Sequence, residues 1–199
     1  MQVSISVEPY LGLDISILTQ YLDKIVRLKE EQFPNLSVHF DYFRPNEAAL
    51  NLLKSYADKI DIYVHLMKPM ALGAQSFKAV SLDITEQPAY GDERQGVVID
   101  LGCDITQYEA IIRATKYITL MTVKCGKSGQ TFNESALALV PKIRALNPQA
   151  IITVDGGVNE TNISILKKAG IDIVVVGNYA RKAYETGALA ISINRLLRD

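Results

Sequence analysis

Residues 150–177 read AIITVDGGVNETNISILKKAGIDIVVVG. The first six residues form a β-branched, nearly continuous apolar run that stops on Asp155-Gly156-Gly157. Such a run is typical of a strand buried on both faces, as in a parallel sheet covered by helices. A helical segment starting near Asn159 then runs to Gly170, and a second buried run occupies 172–177. Gly just past the last periodic residue is a helix stop. This is a βα unit delivering the chain to the next parallel strand. Worked outward in both directions, the alternation repeats, with candidate strands at 2–7, 36–42, 60–66, 77–83, 96–101, 117–123, 150–155 and 172–177. The first helix shows its buried stripe as Ile17, Leu18, Tyr21, Leu22, Ile25, Val26 and Leu28, the spacing of an amphipathic helix. Asp14 and Asn133 are suited to N-caps, and Glu134 and Glu160 place negative charge near helix starts. Eight such units predict a compact (β/α)8 TIM barrel, with residues 1–199 as one domain. Residues 85–95 hold Pro88, Gly91 and several charges, so the helix after the fourth strand is expected to be stunted or missing. An open doubly wound sheet is the alternative, but no strand is followed by the Gly-x-Gly-x-x-Gly turn that seats a dinucleotide.

Composition narrows the function. With 48% apolar and 22% charged residues the chain can bury a large core, and 21 basic against 22 acidic residues leave no net field to attract nucleic acid or an anionic membrane. The longest apolar runs, such as Ile173–Val176, fall far short of the roughly 20 residues of a bilayer-spanning helix. The N-terminal residues lack the basic, apolar and small-residue pattern of a secretory signal, so a cytoplasmic location is expected. Cys103 and Cys125 form neither a disulfide framework nor a zinc-site spacing and read as reduced thiols.

In a barrel of this type the polar residues at the C-terminal ends of strands are the candidates for chemistry. They are His39 and Asp41 on the second strand, His65 on the third and Asp155 on the seventh. The strand period of two puts His39 and Asp41 on one face. The chain has only two histidines, and both lie at these strand ends. Imidazole and carboxylate together suit one divalent metal ion such as Zn, Fe(II), Mn or Co. Asp155 before two glycines also fits a simple turn former. Gly156 and Gly157 after the seventh strand, and Gly177 and Asn178 after the eighth, place backbone N–H groups where such barrels bind phosphate. Glycine that merely permits a tight turn is the plainer reading. Gly126, Lys127, Ser128 and Gly129, after the sixth strand, form a polar loop suited to closing over a ligand, without the spacing of a nucleotide-binding P-loop.

These elements resemble the ribulose-phosphate 3-epimerase family along essentially the whole chain. The resemblance rests on His39-x-Asp41, on His65-Leu66-Met67, and on Met121-Thr122-Val123 followed by Gly126-x-x-Gly129-Gln130-x-Phe132. It is completed by Val154-Asp155-Gly156-Gly157-Val158 with Asn162, and by Val176-Gly177. It implies a divalent metal held by His39, Asp41, His65 and Asp155, with Asp41 and Asp155 doubling as acid and base. It also implies a sugar phosphate contacted by Ser6, Met67 and Met121 as well as by the metal-site residues and glycine loops, and an assembly of identical chains. Inverting a carbon beside a carbonyl needs one group to remove a proton from one face and another to return one on the opposite face. That chemistry passes through an enediolate, with one Asp ionised while the other is protonated.

The sequence departs from the family in its substrate loops. Phe43-Arg44-Pro45-Asn46 replaces a Met-Asp-Gly continuation, Ser4-Ile5-Ser6-Val7-Glu8-Pro9 replaces Ser-Ile-Leu-Ser-Ala-Asp, and Cys125-Gly126-Lys127-Ser128-Gly129 replaces Pro-Gly-Phe-Gly-Gly. Asn178-Tyr179 stands where Ser-Ala is common. The resemblance therefore implies a 3-epimerase acting on D-ribulose 5-phosphate in pentose phosphate metabolism. The alternatives are a six-carbon substrate such as allulose 6-phosphate, or a paralogue that binds a sugar phosphate without turning it over.

Overall fold

Valine and isoleucine dominate the strands because β-branched side chains lose little freedom on a pleated surface and pack well against neighbours there. In the computed structural model, which describes residues 1–42, 46–69, 76–86, 93–124 and 130–198, eight strands form. They are β1 (Gln2–Ser6), β2 (Ser37–Tyr42), β3 (Ile62–Leu66), β4 (Ala79–Asp83), β5 (Gln95–Ile99), β6 (Tyr117–Met121), β7 (Ile151–Asp155) and β8 (Ile173–Val176). Every neighbouring pair is parallel, and β8 pairs back onto β1 from Gln2↔Ile173 to Ile5↔Val176, closing a barrel in sequence order. Closure rules out the open-sheet alternative. Each expected strand is present, with ends shifted by at most two residues.

The helices are α1 (Ile15–Glu31), α2 (Glu47–Tyr56), α3 (Glu109–Ala114), α4 (Val140–Leu146), α5 (Ile163–Lys168), α6 (Asn178–Glu185) and α7 (Leu189–Leu197). Asp14 caps α1 by accepting the Ser16 N–H at 2.8 Å, and Asn133 accepts the Ser135 N–H at 3.0 Å ahead of the 3-10 segment Glu134–Leu139. The α1 stripe is buried as expected except Ile17, which is turned to solvent. Helix α5 starts four residues later than Asn159, because Asn159 spends its side chain on a turn, accepting the Thr161 N–H at 2.8 Å. Glu160 accordingly lies outside α5 and pairs with Arg195 at 3.3 Å.

After β4 the chain makes one 3-10 turn, Ile84–Glu86, in keeping with a stunted helix; residues 87–92 lie outside the described residues. The connection from β3 to β4 is described at residues 67–69 and 76–78, with Ser76 in a 3-10 turn. Pro69, lacking an N–H, stands at the start of that connection. Among the described residues, no helix is long and apolar enough to cross a membrane.

The large apolar side chains, led by Tyr21, Phe40, Leu22 and Ile25, are buried in one continuous core. The strands also bury small or ligating polar residues, including Ser4, Ser6, Ser37, Ser81, Thr119 and Thr153 together with His39 and His65. Of these small residues, Ser6 lines the cavity at the C-terminal mouth.

Candidate active site

Strand register assembles the site. β2 presents His39 and Asp41 on the same face, and β2–β3 pairing sets Asp41 opposite His65. Across the barrel, β7 sets Asp155 opposite Met121 of β6 and Val175 of β8. The four residues therefore converge although they are distant along the chain. His39 Nε2 lies 3.3 Å from Asp41 Oδ1 and 3.5 Å from Asp155 Oδ2, and His65 Nδ1 lies 3.2 Å from Asp41 Oδ1. One ligand atom from each of the four residues falls within 4.8 Å of all the others. Both imidazoles are buried, at 3% exposure, whereas the carboxylates keep 21% (Asp41) and 15% (Asp155).

Without a bound ion these groups hold protons unequally. Burial pulls His39 towards neutrality, but the charge and hydrogen bond of Asp41, aided by Asp155, outweigh it and push its pKa up to about 9. Burial likewise raises Asp41, yet the charge of His39 and hydrogen bonds from both histidines leave it well below the usual carboxylate range. Asp155 is pushed up to about 6, chiefly by burial; attraction to His39 is opposed by repulsion from Asp41. One carboxylate is thus held ionised while its partner titrates near neutrality.

The donor set fits a divalent cation. Two imidazole nitrogens and two carboxylates converge on one point, and opposite ligands of an ion with bonds of about 2.1 Å lie roughly 4 Å apart, a sub-ångström contraction from the observed span. The Nδ1 of His39 is buried without a hydrogen-bond partner. That leaves Nε2, facing both carboxylates, as the polar edge of the ring that the site uses.

A cavity of about 430 Å³ opens above the cluster. Of the residues expected to contact substrate, Ser6, His65, Met67, Met121, Asp155, Gly156, Gly157, Gly177 and Asn178 line it, and so does Asp41. His39 is not among the lining residues; it is buried, with Nε2 facing both carboxylates. Gly126, Lys127, Ser128 and Gly129, like Cys125 and Arg44, lie outside the described residues. Glu8, Lys124, Gln130, Tyr179 and Lys182 also line the cavity and were not picked out as contacts from the sequence. Lys182 carried a readable signal, standing one helical turn after Asn178 on the same face.

The turn after β7 is rigidly made. Thr122 Oγ1 donates to the carbonyls of Asp155 (3.0 Å) and Gly156 (2.6 Å), while Asn159 Nδ2 and Asn162 Nδ2 each donate to the Gly157 carbonyl at 3.0 Å. Gly157 has φ +67°, and a Cβ there would sit 2.6 Å from the Phe132 backbone nitrogen. Gly157→Ala is therefore expected to cost about 1–3 kcal/mol of stability, from left-handed strain plus a backbone clash. Chemical denaturation measures this, and an unchanged midpoint would contradict it.

The profile of the Ribulose-phosphate 3 epimerase family matches residues 13–180. The chain belongs to this family. Among curated members, it is 37% identical over 89 residues to the ribulose-phosphate 3-epimerase of Aquifex aeolicus, an alignment covering 43% of this chain and 40% of that one. It is 25% identical over 196 residues to the ribulose-phosphate 3-epimerase of Mycoplasma genitalium, covering 89% and 90% of the two chains. In its alignments with the Aquifex and Helicobacter pylori epimerases, this family member spans about two-fifths of their length. Among solved structures, a tryptophan synthase chain from Pyrococcus furiosus superposes with TM-score 0.66 at 14% identity, over 98% of this chain and 97% of that one. At that identity the likeness shows the barrel fold alone.

Proposed function

We propose that this protein inverts C3 of a ketose phosphate, interconverting D-ribulose 5-phosphate and D-xylulose 5-phosphate. The observation that carries this reading is the pair of carboxylates of unequal acidity, Asp41 and Asp155, reaching one cavity from β2 and β7 with His39 between them. The curated names of its family relatives support it. In the forward direction the ionised Asp41 accepts the C3 proton on one face. Asp155, whose affinity for a proton is raised by burial, donates to the opposite face of the planar enediolate. The two roles then exchange for the reverse reaction. A divalent ion held by His39, Asp41, His65 and Asp155, of the Zn, Fe(II), Mn or Co type, supplies the positive charge that stabilises developing oxyanion character. Backbone N–H groups at Gly156, Gly157, Gly177 and Asn178 hold the phosphate, Ser6 offers a hydroxyl, and Met67 and Met121 pack polarizable sulfur along the cavity.

The test is a steady-state assay of both candidate substrates. The pentulose 5-phosphate should show the higher kcat/KM, and a preference for a six-carbon ketose 6-phosphate would replace this substrate assignment. Turnover of neither by the metal-loaded protein would overturn the reading.

Metal uptake is expected to be proton-linked. Because His39 keeps its proton up to about pH 9 in the ion-free cluster, and a ligand imidazole must be neutral, binding at pH 7 should expel at least one proton. Affinity should then rise with pH until His39 deprotonates unaided. Calorimetry in buffers of different ionisation heat measures the proton count, and uptake at pH 7 with no release would contradict this assignment.

A further inference from the structure

A phosphate dianion entering this cavity meets acidic side chains, whose charge His39 and the ion of the proposed function offset only at the metal cluster itself. Besides the Asp41 and Asp155 carboxylates, the lining holds Glu8, whose acidity is weakened by burial and by the charge of Asp41. Backbone amides of the β7 and β8 turns offer only partial positive charge, so a full cation near them decides whether a dianion is favoured. Among the described residues two cations line the cavity, Lys124 beyond β6 and Lys182 on α6.

Lys182 has the better position. Helix α6 begins directly after Gly177, and Lys182 follows Asn178 by four residues, stacking above it on the face that lines the cavity. The opposite side of α6, Ala180 and Ala183, packs into the core. The neighbouring cation, Arg181, is engaged elsewhere: its Nη1 pairs with Glu185 at 2.7 Å and its Nε donates to Asn178 Oδ1 at 3.4 Å. The Lys182 ammonium has no ion-pair or hydrogen-bond partner among the described residues.

From this placement we infer that Lys182 is the side chain that selects a phosphate dianion, closing the β7–β8 glycine turns with a mobile full charge. The inference rests on the sugar-phosphate reading above and adds to it a specificity residue supplied by α6. An ammonium on a flexible stem tolerates a range of phosphate positions, so it contributes charge more than geometry.

Inorganic phosphate is the probe, with binding followed by calorimetry on metal-loaded protein. Lys182→Met should weaken phosphate binding and raise KM for the sugar phosphate by roughly tenfold, the usual scale for one charged hydrogen bond, while kcat stays within about threefold. Lys182→Arg should remain within about threefold of wild type on both counts. Because Lys182 is exposed and unpaired, all three proteins should melt together. Wild-type phosphate affinity in Lys182→Met would overturn the inference, as would an equal loss in Lys182→Arg. Lys182-dependent phosphate binding by a protein that exchanges no C3 proton would keep the inference and remove the epimerase reading. Epimerase activity with Lys182-independent phosphate binding would do the reverse.

Discussion

Asp41→Asn should cut epimerisation by at least about a thousandfold, because it removes both a general base and a charged donor from one point. The companion Asp155→Asn should cause a comparable loss of inversion but leave a distinct isotopic trace. With Asp41 intact, the epimer whose C3 proton faces it should still lose that proton and take one back on the same face. In D2O that epimer therefore gains deuterium without inverting. Asp41→Asn should give the mirror result, with wash-in confined to the other epimer. Both residues belong to the His–Asp cluster, so metal content is measured on each variant and rates are expressed per bound ion. Deuterium entering both epimers equally in either variant would contradict the division of labour between the carboxylates.

Removing the metal should have the second-largest effect, visible in stability as well as in turnover. An ion present at 100 to 1,000 times its dissociation constant stabilises the folded state by about 2.7–4.1 kcal/mol, so stripping it with a chelator should lower Tm by roughly 5–16 °C for a chain of this size. The stripped protein should also acquire a pH dependence that the loaded protein lacks. His39 has a folded pKa raised to about 9 against an unfolded value of 6.5, so its contribution is complete below about 6.5 and disappears as pH climbs through 9. Asp155, raised from 3.8 to about 6, loses its contribution as pH climbs through 6. Asp41 acts in the opposite sense, stabilising above its unfolded value of 3.8 and losing that effect in acid. Between pH 6 and 9 the stripped protein should therefore become steadily less stable. A flat melting profile across that window, or a Tm indifferent to the chelator, would argue against a resident ion at this cluster.

The barrel was legible because its signals are local. A β-branched run, a turn glycine and an apolar stripe are each read within about ten residues, and the repetition of the unit fixes the topology. His39 and Asp41 were legible for the same reason, since alternation along one strand places both on one face. Convergence with His65 and Asp155 depends on closure, and is set by the register Asp41↔His65 and by β7 lying across the mouth. Less was readable where tertiary packing overrides local pattern. The burial of His39 follows from depth within the barrel, which strand periodicity does not encode. The late start of α5 reflects the Asn159 turn competing with helix formation. Lys182 and Glu8 line the cavity from α6 and from the 3-10 turn after β1, elements whose aim is fixed by how they pack on the barrel.

If these four side chains hold a metal ion beside two carboxylates that move the C3 proton, proton exchange must depend on the ion. NMR follows the C3 proton of D-ribulose 5-phosphate in D2O, with metal-loaded protein and with the same protein after chelation. The loaded protein should lose the C3 proton signal as the C3 epimer appears, the chelated protein should show neither, and both should return when a divalent ion is restored. Exchange that persists undiminished in the chelated protein, or no exchange by the loaded protein, would contradict this assignment.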